Sequence, residues 1–511
     1  MKHQVPIVLA ALSLAACTLD PAYHAPFLPT ASQYPSQDAA YQEDAAHQSG
    51  APAAAPAALL GWRAVFTDPR LQALIALALQ NNRDLRVAIF NVAASQSSFR
   101  AQRAELFPAI NADTDATLEG LSTSAAEPEL AQSSGSTIPT QAKHSTYREY
   151  SAGIGFASYE LDMFGRVRSL TRSQYQQYLS EADTRRSVQI SVVAEVANDY
   201  ITLLADQDEL KLAQATAQSQ ARLVGLTQAM FDQGVSSQLN LFEAQTGEDT
   251  ATASVARYQR QVAQDENALT LVVGTPLPAN LPPGADLAAE GIMADLPAGL
   301  PSDLLSRRPD VMAAEHTLLA ANAQIGAARA AFFPSISLTG NGGLASASLN
   351  KLFDSAAQTW TFAPQVTIPI FTWGQNQANL DNATAEKNVD LARYENTIQT
   401  AFREVSDGLA ARGTYLDQLA AQQADVDAFS GAYQLAELRY RTGADTYESA
   451  LETQQSLFSA QQTLISLKAE QLQNLVTLYE ALGGGWYATT PAPAAIAAAA
   501  PVAQPPARQL D

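Results

Sequence analysis

The sequence predicts a mainly α, α+β fold made of two tandem structural repeats. Each repeat supplies a β-hairpin and a long helix, so the chain reads as a long α-helical barrel joined to a transmembrane β-barrel. Three observations predict it. First, "FDQGVSSQLNLFEAQ" (Phe231 to Gln245) recurs as "YRTGADTYESALETQ" (Tyr440 to Gln454), with Gly234 and Gly443, and Glu243 and Glu452, each 209 positions apart. Second, short segments alternate apolar and polar residues, the period of a strand with one face toward each medium. Third, each repeat holds a proline-free stretch rich in Ala, Gln, Glu and Leu that spans 69 positions from one glycine to the next.

Composition narrows the function. The chain has 511 residues, 47% hydrophobic and 16% charged, which excludes a disordered protein. Its net charge of −21 repels phosphates, so nucleic-acid binding is not expected. Cys17 is the only cysteine, which excludes internal disulfides and thiolate metal clusters. It stands in a telling place: Lys2 and His3 precede an apolar run from Ile7 to Leu14, and Ala15-Ala16 leads straight into Cys17. This resembles a bacterial lipoprotein signal, which implies cleavage before Cys17 and a covalent lipid there. Thr18 in place of an Asp points to the outer membrane by the same resemblance. The alternative is an ordinary signal peptide cut near Ala16. Beyond residue 17 no window reaches the roughly 18 apolar residues of a spanning helix, so any membrane crossing falls to strands in a closed barrel.

The repeats order the rest of the chain. "RAELFPAI" (Arg103 to Ile110) answers "RAAFFPSI" (Arg329 to Ile336) at an offset of 226, while Gly165 and Gly374, Glu195 and Glu404, and Gly274 and Gly483 are offset by 209. The divisions are 1–16 signal peptide, 17–60 lipidated lead, 61–106 entry helices, 107–164 first hairpin and 165–275 first long and return helices. They continue with 276–303 linker, 304–332 entry helix, 333–373 second hairpin, 374–484 second long and return helices, and 485–511 a flexible Ala/Pro-rich tail.

Ile110 to Thr117 and Thr359 to Ile370 carry the clearest alternation, with Tyr150 to Ser158 and Pro334 to Thr339 as weaker members. The segments Leu118 to Gln141 and Gly340 to Leu352 read as the hairpin loops, and "GNGG" (Gly340 to Gly343) as part of a loop. The proline-free runs predict helices from Arg166 to Gln233 and Gln375 to Thr442, each about 100 Å long at 1.5 Å per residue. Return helices follow from about Ser237 to Val273 and Thr446 to Leu482. Four strands cannot close a membrane barrel, whose smallest examples have about eight. Closure therefore needs several chains, and three give twelve strands.

Eight segments together resemble one family: "GWRAVFTDPRLQALIALALQNNRDLRVA" (Gly61 to Ala88), "YELDMFGRVRS", "VAEVANDYITLLA", "LLSRRPDVMAAE" (Leu304 to Glu315), "AANAQIGAARAAFFPSISLTG", "AFREVSDGLAAR", "RYRTGADTYESALETQQSLFSAQQ" and "LYEALGGGW". The chain from about Cys17 to Trp486 is similar to the outer-membrane factors of tripartite efflux systems, in the lipoprotein branch serving resistance-nodulation-division pumps. The resemblance implies a homotrimer in outer-membrane lipid, a periplasmic adaptor and an inner-membrane pump, with no enzyme activity and no cofactor beyond the lipid on Cys17. It makes Gly234 and Gly443 the periplasmic tip turns. It places an acidic constriction at Glu452, where the family's usual Asp is replaced, and brings in Glu448, Asp445, Glu243, Asn240 and Tyr440 as pore or gating candidates. Glu448 and Asn240 also depart from the family pattern. If helical, Asp445, Glu448 and Glu452 share one face at i, i+3 and i+7. Acids in a first turn also serve simply to offset the helix dipole. Exit of small toxic compounds is the main functional reading, with protein secretion or a periplasmic coiled-coil scaffold as alternatives. Glu315-His316 reads as a helix-surface pair, and "NADTDATLEG" as a strand, not a calcium loop.

Overall fold

The structure is a computed structural model that describes residues 18–26, 29–31, 34, 57–122, 144–287, 291–294, 296–297 and 304–490. The signal peptide, Cys17, most of the lead, the greater part of the first hairpin loop, part of the linker and the tail beyond 490 lie outside the described residues. The chain divides into two compact units. One takes in the described residues within Met1–Ala25, Ala94–Tyr178 and Thr317–Leu391, the other those within Pro26–Ala93, Leu179–His316 and Ala392–Asp511.

In chain order the main elements are α1 (Pro69–Asn81), α2 (Arg83–Ala104), β1 (Asn111–Ser122), β2 (His144–Glu160), α3 (Arg166–Asp232) and α4 (Gln238–Val273). The second repeat follows as α5 (Pro309–Ala330), β3 (Ser335–Ser346), β4 (Gln358–Thr367), α6 (Gln375–Arg441) and α7 (Tyr447–Ala481). Both long helices run 67 residues, within a residue of the expected ends. Ser237 and Thr446 sit at the N-caps of the return helices, with extended backbone, and Ser237 Oγ accepts from the Asn240 amide at 3.1 Å.

The first unit holds one antiparallel sheet in the order β1-β2-β3-β4. Leu118, Ile154, Trp360, Phe362 and Val366 are exposed on one side of it, whereas Asp113, Asp115, Thr361 and Gln365 occupy the alternate positions. An exposed apolar face flanked by aromatic residues suits hydrocarbon, and it gives the hairpins their transmembrane character.

Two expectations about the strands are corrected. Leu118 to Ser122 and Gly340 to Ser346 belong to strands, not loops. Gly343 pairs with Gly153 and Gly340 with Phe156. A Cβ on Gly343 would fall 2.3 Å from the Ala152 carbonyl oxygen, and one on Gly340 would fall 2.9 Å from the Phe156 ring. Glycine is therefore used here for close approach of strands, so its turn-forming reputation misleads. The fourth strand stops at Thr367, which leaves Ile368 and Ile370 beyond it next to Pro369.

The start of α3 is tied to the end of β2. Arg166 donates two hydrogen bonds to Glu160, at 2.9 and 2.5 Å, and the Arg168 backbone N–H and Nε donate to Asp162 at 2.9 and 3.1 Å. Such charge-assisted pairs are the stronger hydrogen bonds, and they fix the strand-to-helix turn.

The second unit has a core at α1, where Trp62, Phe66, Leu71, Leu74 and Ile75 are buried. Phe66 meets Tyr479 edge-on at 5.8 Å between ring centres. Asp68 caps α1 through the Arg70 amide at 2.7 Å and accepts from the Tyr200 hydroxyl at 2.8 Å. In α3 an 18-residue stretch is long and apolar enough to cross a membrane, contrary to the expectation from sequence. More than half of it is buried inside the protein, with Val193, Val196, Ala197, Ile201 and Leu203 in the core, so burial accounts for its composition. Residues 485–490, assigned from sequence to the flexible tail, are held instead: the Trp62 amide donates to the Tyr487 carbonyl at 2.9 Å, and the Arg186 guanidinium lies over the Trp486 ring at 4.8 Å.

Candidate functional site

The two helix turns have one design. Gly234 and Gly443 hold φ of 73° and 72°, the left-handed region. In the first turn the Gly234 amide donates to Phe231 and the Val235 amide to Met230, both at 2.8 Å; in the second, Gly443 donates to Tyr440 and Ala444 to Arg439, at 3.0 and 2.8 Å. These are paired bonds that close a helix over a glycine at C′. No heavy atom lies within 4 Å of a Cβ built on either glycine, so the backbone conformation alone demands the residue.

The surroundings differ between the turns. In the first, Phe231, Val235, Leu239 and Phe242 are exposed. In the second, Tyr440 and Tyr447 are 2% and 1% exposed and stack edge to face at 5.5 Å, in a cluster with Leu223, Ala244, Ala436 and Ala450. The Tyr440 hydroxyl lies 2.8 Å from Thr227 Oγ1, Tyr447 donates to Gln220 Oε1 at 3.4 Å, and Gln220 Nε2 donates to Gln454 Oε1 at 2.6 Å. This line of buried polar groups couples α3 of repeat 1 to α6 and α7 of repeat 2. Burial, with smaller contributions from Tyr440, Glu243 and Tyr433, pushes the Tyr447 phenol up to about 12.

The candidate acids separate into three positions. Glu448 and Glu452 are exposed and four residues apart on α7. Asp445 is corrected as a member of that helix face: it precedes the N-cap Thr446, accepts the Thr446 amide at 2.8 Å and meets Arg439 Nε at 3.3 Å. Glu243, half-buried on α4, lines a cavity of about 240 Å³ with Gln220, Gly247, Ala251, Leu451 and Gln454. Asn240 is half-buried, its side chain bonded to Ser236 and Ser237 within the first turn. Tyr440, named as a pore or gating candidate, is buried in the cluster that holds the second turn. Sequence reasoning missed Tyr447, Gln220 and Gln454. The available signal was the pair Tyr440 and Tyr447, seven positions apart across a glycine turn, where repeat 1 has Phe231 and Gln238.

His316 is not a surface residue: it is half-buried, with Nε2 3.6 Å from Asp183 Oδ2, and burial lowers its pKa. Among the described residues no group of His, Cys, Asp and Glu is placed to hold a metal.

Comparison with known proteins agrees with this architecture. The model of the outer membrane efflux protein family matches residues 74–275 and 300–484, one match per repeat. The antibiotic efflux pump outer membrane protein ArpC of Pseudomonas putida is 47% identical over 489 residues, covering 96% of this chain and 97% of that one. The toluene efflux pump outer membrane protein TtgC, also of Pseudomonas putida, matches with the same identity and coverage. The open-state crystal structure of the Neisseria gonorrhoeae MtrE outer membrane channel superposes with a TM-score of 0.80 at 34% identity, covering 93% of this chain and all of that one. The chain belongs to the outer membrane efflux protein family: it is a channel protein of the outer membrane and not an enzyme.

Proposed function

We propose that three copies form the passive exit duct of a tripartite efflux system for small toxic compounds, driven by an inner-membrane resistance-nodulation-division pump through a periplasmic adaptor. One observation carries this reading: the same chain holds a four-stranded sheet with an exposed apolar face and two 67-residue helices. A sheet of four strands needs further copies to close in hydrocarbon, and a family of efflux channels supplies the use. Antibiotic and toluene are the cargo words in the names of the similar proteins, which supports small toxic compounds as the class.

Roles follow the two turns. The exposed Phe231, Val235, Leu239 and Phe242 of the first turn fit the adaptor. Glu452, with Glu448 one helical turn earlier, supplies the constriction, and Asp445 with Arg439 holds the second turn. Tyr440 anchors that turn to α3, while Asn240 stiffens the first and Glu243 stands beside it. Cys17 carries the lipid that tethers the chain in the outer membrane.

Planar-bilayer recording of the purified protein tests this. Wild type should show discrete channels that are mostly closed, and Glu452→Ala should raise the open fraction several-fold by removing a ring of three carboxylates. An open fraction unchanged in Glu452→Ala removes the constriction at that residue. Absence of any channel in a particle of three subunits, with adaptor added, removes the duct.

A further inference from the structure

Between α3, α4 and α7 lies the cavity of about 240 Å³ that Glu243 lines, and the duct derived above makes no use of it. Ala251, Leu451 and the Phe458 ring give it apolar wall, and among the described residues Glu243 is the one charged side chain on its lining. That carboxylate is half-buried, and among the described residues it accepts no hydrogen bond and pairs with no basic group. A charge withdrawn from water without a partner is costly, so a carboxylate in this position favours a cation that can enter beside it.

Two further observations point to a ligand. Gln454 is 5% exposed and also lines the cavity. Its Oε1 accepts from Gln220 Nε2 at 2.6 Å, but its own NH2 group donates to nothing among the described residues. Buried amide groups are nearly always hydrogen-bonded, so this NH2 is ready for an acceptor that enters the cavity. Gly247 is the second observation. It stands inside α4, where glycine is less stable than alanine. A Cβ there would fall 3.0 Å from Gln220 Oε1, so the glycine keeps the Gln220 amide against the wall and the cavity clear.

We propose that this cavity is a binding site for a small organic monocation, a protonated amine on an apolar ring. The ammonium donates to Glu243, a charge-assisted bond of the stronger kind. The ring lies against Ala251, Leu451 and Phe458, and an oxygen on the ligand, where there is one, accepts from Gln454. Volume sets the size: since about 150 Å³ holds benzene, 240 Å³ holds one ring with a short amine arm and nothing as large as most drugs. A metal ion is not the occupant, because no group of His, Cys, Asp and Glu among the described residues is placed to hold one. The field favours the same sign of charge: the chain carries −21 net, and Glu448 and Glu452 stand exposed on α7 on either side of Leu451 in sequence.

Occupancy reaches the second turn. Gln220 accepts from the Tyr447 hydroxyl at 3.4 Å and donates to Gln454, and Tyr447 packs on Tyr440 at that turn. A ligand held by Glu243 on α4 and Gln454 on α7 adds a bridge to this line and slows its opening. On the proposed reading of the turn as the constriction, on which this step alone rests, the bound amine favours the closed duct.

Calorimetric titration of the detergent-solubilised protein tests the site, with the heats from empty micelles subtracted. The probes share one ring and differ in the head group: 2-phenylethylamine, 2-phenylethanol and 3-phenylpropionate. The amine should bind with a Kd of about 1 mM or tighter. The alcohol should bind about ten-fold more weakly, since a hydrogen bond to a charged group is worth roughly that factor, and the carboxylate should give no heat above the blank. Glu243→Gln should bring the amine to the level of the alcohol. Ala251→Leu, which fills the cavity and keeps the carboxylate, should abolish the binding of both. Particle mass and helix content are measured for each variant, and where one variant does not match wild type in these the other decides. Equal binding of all the probes, or amine binding that a well-folded variant leaves unchanged, overturns the site. Hydrogen exchange around Tyr447 should slow in wild type saturated with the amine, and unchanged exchange removes the bridge. In planar bilayers the amine should lower the open fraction of wild type and not of Ala251→Leu; an equal fall in both places the amine in the pore itself and removes the effect on the duct. Binding is read without a channel, so its failure and the failure of the duct are separate results.

Discussion

At the scale of single residues the second unit concentrates carboxyl groups whose protonated form is favoured by burial. Asp265 is the clearest: burial first, then a hydrogen bond with Asp206 and the charges of Asp206 and Asp199, push its pKa up to about 7. The folded state then holds a proton that the unfolded chain releases near pH 4, so this contribution to stability is full at low pH and declines as pH rises through 7. Glu209 and Glu480 are raised as well, by burial, and act in the same direction. Asp265→Asn should therefore raise the unfolding temperature most at pH 8, less at pH 5 and little at pH 3; a larger gain at pH 5 than at pH 8 contradicts this assignment. Arg308 is the opposite case. It is buried and donates to Asp310 at 2.7 Å, to Glu404 at 2.7 Å and to the Ala481 carbonyl at 2.9 Å. Arg308→Met should cost about 1–3 kcal/mol, because it leaves two partly exposed carboxylates and the Ala481 carbonyl without their donor. Arg308→Lys should recover only part of this, since an ammonium cannot span both acids as a guanidinium does. Denaturant unfolding of the solubilised protein measures both. Repeat 1 has Asn82 at the equivalent place, donating to the Val272 carbonyl at 2.8 Å, and there Glu195 beside Asp84 and Asp199 stays raised, mainly by burial.

At the scale of elements, the helix turns offer a clean test. An alanine at 234 or 443 meets no atom within 4 Å, so the cost of either substitution is the left-handed conformation alone, about 1–2 kcal/mol. Gly443→Ala and Gly234→Ala should each speed hydrogen exchange in the last turn of the preceding helix by roughly ten-fold, with Gly→Asn costing less. Equal protection in wild type and Gly443→Ala rejects the argument. The turns were legible in the sequence because glycine at a fixed distance from a proline-free run is a local signal, and the 67-residue helices were legible for the same reason. The strand ends were not. Gly340 to Ser346 has the composition of a loop, and only its partner strand shows that Gly343 is there to let Gly153 approach. The site was half legible for a similar reason. Asp445, Glu448 and Glu452 are visible as acids near a turn, but which of them is paired depends on Arg439 and on where Thr446 starts the helix. The Thr227, Gln220 and Gln454 contacts join residues more than 200 positions apart, and no local pattern encodes them.

At the scale of the whole molecule, charge decides what the duct passes most easily. The chain carries 51 acidic against 30 basic residues, an excess that the proposed three-copy duct would multiply around one path. The polar face of the sheet adds Asp113, Asp115 and Glu119, and the second turn adds the exposed Glu448 and Glu452. A channel lined with fixed negative charge concentrates cations and repels anions. The reconstituted channel should therefore be cation-selective, with a reversal potential in a potassium chloride gradient that takes the sign of cation flow. Screening sets the second half of the prediction. The Debye length falls from about 10 Å at 0.1 M salt to about 3 Å at 1 M, so selectivity should decline steeply across that range if the charges stand back from a wide lumen. It should persist in part at high salt if the ring at Glu452 narrows the path to within a few ångströms. Glu452→Gln separates the two contributions: it should remove the salt-resistant part and leave the screened part. Anion selectivity in the wild type, or a selectivity that neither salt nor Glu452→Gln changes, would mean that the acidic excess lies on the outside of the assembly and plays no part in transport.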